Sequence, residues 1–307
     1  MSKHVAVLMG GWSAEREVSL RSGNACADAL ERAGGYRVSR VDVTRDIALT
    51  LRELKPDVAL NLLHGRPGED GTLQGLLEIV GVPYSHSGVL ASAVAMQKDI
   101  AKTVLKAAGV PVPGGMVAAR RDAAREHLLP RPYVIKPLAE GSSVGVFIVR
   151  ADHAHPPQEL TRADWKFGEN VLVEPFVPGK ELTCAVLGDQ PLGVIEIVSA
   201  TKFYDYEAKY APGGSRHLLP APVSPEVYEE CRRLSLLAHR ALGCRGVTRA
   251  DFRYDDSRAG LQGLACLEVN TQPGMTETSL VPELAAHAGI PFEQLVAWMV
   301  EDASLER

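Results

Sequence analysis

The sequence predicts a mixed fold, with a parallel α/β domain at the N-terminus followed by two regions of α+β structure. Early in the chain, short apolar runs alternate with helical patterns, which is typical of a parallel sheet with helical crossovers. After the Pro- and Gly-rich segment 109–115, apolar runs follow one another with little helix between them, which favours antiparallel pairing. Because 307 residues exceed a typical single domain, we expect two or three compact units.

The N-terminal segment has the pattern of a strand, a glycine turn and a helix. An apolar run at 4–9 ends at a pair of glycines, and a helical pattern follows it. Two further strands are predicted at 36–43 and 57–63. Open parallel sheets bind ligands at the carboxyl ends of their strands, so we expect a Rossmann-like substrate domain over residues 1–95.

A domain boundary is predicted near Met96. The helical stretch 88–108 runs into the segment 109–115, whose prolines and glycines cannot continue a helix. We therefore expect a central α+β subdomain over residues 96–178 and a C-terminal α+β subdomain over residues 179–307.

Beyond this boundary the strands are predicted to pair mainly antiparallel. Strand patterns occur at 133–136, 144–149, 171–173, 248–254 and 264–269, and a helical pattern occurs at 225–242. The segment 201–222 is predicted to be a long loop. Loops of roughly 20 residues are uncommon in compact domains unless they act as lids or binding loops.

Composition excludes several classes of protein. A net charge of -5 supplies no field that would gather a polyanion, so nucleic acid is not expected as a partner. The chain has no apolar run of about 18 residues and no signal-peptide pattern, so we expect a cytoplasmic protein without a membrane partner. Its five cysteines are scattered without C-x-x-C spacing, which indicates core residues rather than a zinc site or a disulfide framework.

Lys136 stands in the apolar strand pattern YVIKP and is followed by the loop AEGSSVG. A lysine at a strand end can neutralise phosphate oxygens while the backbone of a glycine-flanked loop approaches them closely. The same residues also fit a surface lysine before an ordinary hairpin. Glycine-rich loops alone are weak signals, so both interpretations stay open.

Oxygen ligands cluster on two neighbouring predicted strands. Alternation puts Glu268 and Asn270 on one face, and Asp251 lies on the preceding strand. Mg²⁺ prefers such oxygen ligands together with substrate phosphates, so the trio suits a metal–nucleotide complex, whereas a solvent-facing polar patch is the alternative. Arg249 shares a face with Asp251 and can stabilise developing negative charge; a plain salt bridge to Asp251 is also compatible with the pattern.

Two N-terminal residues are candidates for substrate contacts at the sheet edge. Glu15 lies between the first glycines and the first helix, where a carboxylate can hold an ammonium group. His64 follows the third strand and can line the same pocket. The alternatives are that Glu15 favours the helix start by its charge, that His64 is structural, and that Asp70 is a turn residue.

Six blocks of the sequence together resemble the D-alanine–D-alanine ligases, a family of the ATP-grasp superfamily. They are GGWSAEREVSLRSG, LHGRPGEDGTLQG, YVIKPLAEGSSVGV, TKFYDYEAKY, RADFR and LEVNTQPGMTETSLVP, in the order of the family and with roughly its spacing. The resemblance covers nearly the whole chain. It implies that a two-part ATP-grasp fold follows the N-terminal domain, with the nucleotide held between its two parts.

The resemblance also implies the cofactors and the residues that hold them. ATP and two Mg²⁺, or Mn²⁺, are expected, with Asp251, Glu268 and Asn270 as metal ligands. The expected nucleotide-binding residues are Lys98 and Lys136 for the phosphates, Glu174, Pro175, Phe176 and Val177 as a hinge that reads adenine through its backbone, Glu181 for the ribose, and Ser143. A homodimer is expected on the same basis.

The activity that the resemblance implies is ATP-dependent formation of D-alanyl-D-alanine through D-alanyl phosphate, for bacterial peptidoglycan precursors. The residues expected to act on the two D-alanines are Glu15, His64, Ser142, Lys209, Tyr210, Arg249, the Gly274 amide, Ser279 and the Leu280 amide. Glu15, Ser142 and Tyr210 are expected to close a lid that excludes water. A different carboxylate–amine ligase, including a D-alanyl-D-lactate ligase, and a non-catalytic nucleotide-binding module are the alternatives.

Overall fold

The computed structural model describes residues 2–142, 144–199, 214–276 and 278–306. The N-terminal sheet is parallel, as predicted, with strand order β2-β1-β3. Its strands are β1 (Lys3–Gly10), β2 (Tyr36–Val43) and β3 (Val58–Asn61), and the helices that connect and follow them are α1 (Arg16–Ala33), α2 (Ile47–Leu54) and α3 (Thr72–Val80). The carboxyl ends of β1 and β3 therefore lie side by side, and α1 starts at this edge.

The predicted helical stretch 88–108 consists of two helices, α4 (Val89–Met96) and α5 (Lys98–Ala107). The backbone of Gln97, with φ -83° and ψ 98°, is extended and separates them. The Lys98 N–H then donates to the Leu138 carbonyl at 2.9 Å. Because this bond joins residues far apart in the sequence, the helical pattern alone gave no sign of the break.

The middle of the chain forms an antiparallel sheet with strand order β4-β7-β5-β6. Its elements are β4 (Met116–Ala119), α6 (Arg120–Arg125), β5 (Tyr133–Pro137), β6 (Phe147–Val149) and β7 (Asn170–Pro175). The strand predicted at 144–149 is shorter, because its first three residues belong to the turn that precedes Phe147.

A second antiparallel sheet follows, with strand order β10-β9-β8-β11-β12. Its elements are β8 (Lys180–Leu187), β9 (Gln190–Ser199), β10 (Ser215–Leu218), α7 (Pro225–Ala241), β11 (Val247–Tyr254) and β12 (Leu264–Asn270). β10 lies inside the segment predicted to be a loop, so that prediction is wrong for these residues: among the strands that the structure describes, β10 is at the edge of the sheet and pairs with β9 alone. Helices α8 (Leu280–His287) and α9 (Phe292–Glu301) end the fold.

The hydrophobic cores connect the N-terminal and C-terminal parts of the chain. One cluster contains Val5 and Leu30 from the N-terminal sheet and its first helix together with Leu284 and Val296 from α8 and α9. This packing fixes the carboxyl edge of the parallel sheet relative to the loop after β12. The proposed domain limits stay a prediction, although each range contains the strands of one sheet.

All five cysteines are buried and unpaired, as expected for core residues. Burial raises the pKa of Cys184 to about 12, because the thiolate would lose its hydration inside the core. Among the described helices, none combines the length and apolar character needed to cross a membrane.

Candidate active site

The two candidate acidic metal ligands lie opposite each other on adjacent strands. Asp251 of β11 pairs in register with Glu268 of β12, and Arg249 pairs with Asn270. Side chains two residues apart in a strand point to the same face, so all four lie on one face of the C-terminal sheet. The alternation in the sequence predicted this shared face; the strand pairing brings the residues together.

The two carboxylates are surrounded by cationic side chains. Arg249 donates two hydrogen bonds to Asp251, from Nε to Oδ1 at 2.8 Å and from Nη2 to Oδ2 at 2.7 Å. Thr183 Oγ1 also donates to Asp251 Oδ1 at 2.6 Å. Lys98 Nζ lies 3.5 Å from Glu268 Oε2. The salt-bridge interpretation of Arg249 is therefore correct, and it places a guanidinium beside the acidic pair.

The donor chemistry of this face fits divalent magnesium. Like charges directly opposite each other in a sheet repel, so Asp251 and Glu268 favour a cation between or beside them. Within the described ranges, no group of three or more His, Cys, Asp or Glu residues forms a complete protein metal site. Mg²⁺ fits such an incomplete set, because it is usually bound through one or two carboxylates with substrate phosphates supplying further oxygens.

A cavity of about 350 Å³ lies between the two antiparallel sheets and includes this acidic pair. Lys98 and Lys136 line it from one side, and Asp251 and Glu268 line it from the other. Lys98 Nζ donates to the Glu140 carbonyl at 2.6 Å, which directs the start of α5 into the cavity. Two lysines and two carboxylates at one cavity suit a metal–phosphate group.

Lys136 projects from the end of β5 and is almost fully buried. Its Nζ lies 2.7 Å from Glu174 Oε2. Burial lowers the pKa of Lys136 to about 8; Glu268 opposes this shift and Lys98 adds to it. The surface-lysine interpretation is therefore wrong, because the side chain is only 9% exposed.

The Glu174 side chain has contacts that the sequence did not predict. It is 3% exposed, and its second oxygen, Oε1, accepts from Lys102 Nζ. Burial and the neighbouring Lys136 lower the pKa of Lys102, whereas contact with a carboxylate favours the charged ammonium. Lys102 was absent from the predicted residues. Its position four residues after Lys98, on the same helical face, was the signal that could have revealed it.

The predicted adenine hinge lines the same cavity. Glu174, Pro175, Phe176, Val177 and Glu181 all contribute to its wall. The Phe176 N–H donates to the Pro132 carbonyl at 3.1 Å.

Arg253, another residue missed from the sequence, braces this segment. Its Nε donates to the Val177 carbonyl at 3.1 Å, and its guanidinium carbon lies 5.6 Å from the Phe176 ring centroid. Nη1 also lies 3.4 Å from Glu181 Oε2. Arg253 thus fixes both the hinge and the predicted ribose carboxylate.

Glu15 and Ser142 come together at the edge of the parallel sheet. Ser142 Oγ donates to Glu15 Oε1, and the Glu15 side chain is buried. The backbone of Ser142 has φ +51°, a left-handed conformation that is uncommon for residues other than glycine. The loop after β5 therefore reaches across to the start of α1, as the predicted lid contact requires.

His64 lies near Glu15 and joins two parts of the chain. Its Nε2 lies 3.3 Å from Ser22 Oγ, and its Nδ1 lies 3.4 Å from Glu69 Oε1. The Met275 N–H donates to the same Ser22 hydroxyl at 3.3 Å. Through Ser22, the loop after β12 is connected to His64 and to α1.

Two of the residues predicted for the second substrate, Ser279 and Leu280, lie at the start of α8. Ser279 is the N-cap of this helix, and its Oγ accepts from the Thr276 N–H at 2.9 Å. A Cβ added to Gly274 would lie 3.0 Å from Ser279 Oγ, so the two residues are close neighbours. The N-terminus of a helix favours carboxylates because its first N–H groups are not used within the helix.

Three predicted site residues, Ser143, Lys209 and Tyr210, lie outside the described residues. Asp70 acts as the alternative interpretation proposed: its Oδ1 accepts from the Thr72 N–H at 3.1 Å and its Oδ2 lies 3.0 Å from Arg66 Nε. It is a turn residue.

Comparison with known proteins gives a consistent set of relatives. A family model described as the D-ala D-ala ligase C-terminus matches residues 104–301, and its N-terminal counterpart matches residues 47–87. The D-alanine–D-alanine ligase of Xanthobacter autotrophicus is 71% identical over 307 residues, covering 100% of both chains. That of Rhodopseudomonas palustris is 70% identical over 305 residues, covering 99% of each.

Two solved structures have the same overall fold. The D-alanine–D-alanine ligase of Bacillus anthracis, complexed with ATP, is 32% identical, with a TM-score of 0.80 and coverage of 98% of this chain and 97% of that chain. The VanG D-Ala:D-Ser ligase of Enterococcus faecalis is 29% identical, with a TM-score of 0.79 and coverage of 98% and 99%. The α/β and ATP-grasp fold predicted from the sequence is confirmed.

Proposed function

The chain belongs to the D-alanine–D-alanine ligase family, and from this premise we propose how its residues divide the reaction. The enzyme is an ATP-dependent ligase that joins two D-alanine molecules to D-alanyl-D-alanine, and the family membership implies a role in peptidoglycan synthesis. The observation that carries the assignment of residues is the convergence of Lys98, Lys136, Asp251 and Glu268 on one cavity.

We assign this cavity to ATP. Its backbone segment 174–177 suits adenine, Glu181 suits the ribose hydroxyls, and Lys98 and Lys136 suit the phosphates. Ser143 is assigned to the nucleotide by resemblance. Asp251, Glu268 and Asn270 would hold two Mg²⁺ (or Mn²⁺), which neutralise charge on the phosphate oxygens when bound.

The first step forms an acyl phosphate. Glu15 holds the ammonium of the first D-alanine, and His64 lines the same substrate pocket. A carboxylate oxygen of this D-alanine attacks the γ-phosphorus, and the bond to the bridging oxygen breaks to release ADP. Lys98 and Lys136 hold the phosphates in line for this transfer, so positioning and charge neutralisation supply most of the rate enhancement.

The second step forms the peptide bond. The free amine of the second D-alanine attacks the acyl carbon, the C–O bond to phosphate breaks, and inorganic phosphate leaves as the amine loses a proton. Arg249 and the Gly274 amide stabilise the tetrahedral oxyanion. Lys209, Ser279 and the Leu280 amide hold the carboxylate of the second substrate.

Closure of the site protects the acyl phosphate from water. The contact of Ser142 with Glu15 supports a lid that closes over the first substrate, and Tyr210 is assigned to the same lid by resemblance. We also propose that the enzyme is a cytoplasmic homodimer that binds neither nucleic acid nor membrane, which is consistent with its charge of -5.

The reaction is tested by following ADP release and product mass with purified enzyme. Turnover is expected only when ATP, Mg²⁺ and D-alanine are present together, and L-alanine should not replace D-alanine. D-Serine and D-lactate test the second candidate function, which the similarity to a D-Ala:D-Ser ligase favours. If a product of D-alanine with D-serine or D-lactate forms faster than D-alanyl-D-alanine, the proposed second substrate is wrong. No turnover with D-alanine would refute the proposed function.

A further inference from the structure

A row of three buried charges separates the ATP cavity from a second cavity. Glu174 lies in the middle, with Lys136 on one carboxylate oxygen and Lys102 on the other. Lys136 lines the ATP cavity, Lys102 lines the second cavity of about 630 Å³, and Glu174 lines both. We call these three residues the partition.

The two lysines of the partition are not equivalent. Lys136 lines the ATP cavity together with Lys98, which is assigned to the phosphates, and Glu268, which is assigned to the metal. Lys102 stands behind Glu174, and its Nζ also lies 3.5 Å from the Pro113 carbonyl. Lys102 is not among the described residues that line the ATP cavity, whereas Glu174, which it contacts, lines that cavity.

The two lysines of the partition share the negative charge of Glu174. A buried carboxylate with a single cationic neighbour forms a strong ion pair with that neighbour, because no water competes for the carboxylate oxygens. In this chain the attraction is divided between two lysines, one on each oxygen. Two cations beside one anion leave positive charge available on the side that faces the phosphates.

We propose that Lys102 is a positioning residue for nucleotide binding: by holding one oxygen of Glu174, it keeps that carboxylate from neutralising Lys136. The inference rests on the proposed assignment of the first cavity to ATP. It concerns a residue that lines the second cavity and not the first.

The first test is the affinity for Mg²⁺–ADP, measured by calorimetry without D-alanine. Lys102→Met should raise the dissociation constant about tenfold, because the uncompensated Glu174 then binds Lys136 more strongly. Lys106→Met is the matched control, since Lys106 is exposed one turn further along α5 and also lines the second cavity. It should bind ADP as the wild type does.

The second test is whether the loss in Lys102→Met depends on the charge of Glu174. Because Glu174 also belongs to the proposed adenine hinge, Glu174→Gln serves as its own reference: adding Lys102→Met to Glu174→Gln should change the ADP dissociation constant by less than about threefold, against about tenfold in the wild-type background. Thermal unfolding of each variant identifies any loss of folded protein. If Lys102→Met does not fold, the comparison uses Lys102→Gln, which retains a donor for Glu174. Its dissociation constant for ADP should be higher than that of the wild type, but by less than about tenfold.

Steady-state kinetics separates positioning from general damage. The KM for ATP should rise in Lys102→Met, while the KM for D-alanine and the kcat at saturating ATP stay within about threefold of wild type. Equal ADP affinity in the wild type and Lys102→Met would overturn the inference, as would an about tenfold loss of ADP affinity when Lys102→Met is added to Glu174→Gln. Failure of the wild type itself to bind ADP would instead refute the assignment of the cavity.

Discussion

Asn61 and Gln272 bond to each other across the interior, although they are 211 residues apart in the sequence. Asn61 Nδ2 donates to Gln272 Oε1 at 3.2 Å, and Gln272 Nε2 donates to the Asn61 carbonyl. The Gln272 N–H also donates to Asn270 Oδ1 at 2.8 Å. The last residue of β3 is thus connected to the proposed metal ligand Asn270, which joins the N-terminal sheet to the proposed nucleotide site.

Replacement of Gln272 by Leu should destabilise the protein. It leaves Asn61 Nδ2 and the Asn61 carbonyl with fewer partners in a fully buried position, at a cost of about 1–3 kcal/mol in the free energy of unfolding. Urea unfolding measures this change. Gln262→Leu, at an exposed position, is the matched control and should change the stability by less than about 0.5 kcal/mol. Equal stability of the two variants would contradict the role of the Asn61–Gln272 contact.

Glu15→Gln should weaken binding of the first D-alanine. The substitution keeps the shape of the side chain but removes the charge assigned to the substrate ammonium, so we expect the KM for D-alanine to rise by about tenfold or more. The dissociation constant for ADP should stay unchanged. Glu17→Gln, two residues further on and exposed, should leave both constants unchanged. A rise in the ADP dissociation constant alone would place Glu15 in the nucleotide site instead.

Arg249 and Arg253 lie on the same strand and should have different kinetic effects. Arg249→Lys loses the two hydrogen bonds that the guanidinium donates to Asp251. It is expected to lower kcat by about 100-fold, because the tetrahedral oxyanion loses a donor. Arg253→Lys loosens the hinge around Val177, so it should raise the KM for ATP and change kcat much less. The opposite pattern would require the two roles to be exchanged.

Glu268→Gln should abolish turnover without unfolding the protein. The substitution removes one of the two opposed carboxylates, so we expect kcat to fall by about 100-fold or more at any Mg²⁺ concentration that can be tested. ADP release measures kcat, and circular dichroism checks the fold. Glu53→Gln, at an exposed position in α2, should retain wild-type activity. Wild-type turnover in Glu268→Gln would exclude Glu268 as a metal ligand.

The stability should fall in mild acid because of His239. Burial lowers the pKa of His239 to about 4 from 6.5, so below pH 6.5 the unfolded chain binds a proton that the folded protein does not. The contribution of His239 to the free energy of unfolding is therefore lost as the pH falls from 6.5 towards 4, and the loss is about 2 kcal/mol at pH 5. Urea unfolding at pH 7 and pH 5 measures the loss.

His239→Gln should remove this part of the pH dependence. His155→Gln, at an exposed position, should retain it. If His239→Gln lost as much stability as the wild type between the two pH values, another group would be responsible.

Local patterns were enough to predict part of the site. Strand alternation placed Glu268 and Asn270 on one face, and this prediction succeeded because it depends on residues only two positions apart. The pattern around Lys136 left a phosphate-binding lysine and a surface lysine both open, and the structure decided between them. The interruption at Gln97 and the contacts of Lys102 and Glu174 were not predicted, because the residues that cause them come from other elements.

The sequence by itself determined the fold class, the parallel and antiparallel parts of the chain and the family, since these follow from short-range periodicity and from motifs read in order. Only the tertiary structure decided which charges share a cavity: the pairing of Lys102 and Lys136 with Glu174, the grip of Arg249 on Asp251, and the contact of Asn61 with Gln272. The physical reason is that a buried charge or amide is stabilised by whatever partner the folded chain brings within hydrogen-bonding distance, and sequence spacing does not encode that distance.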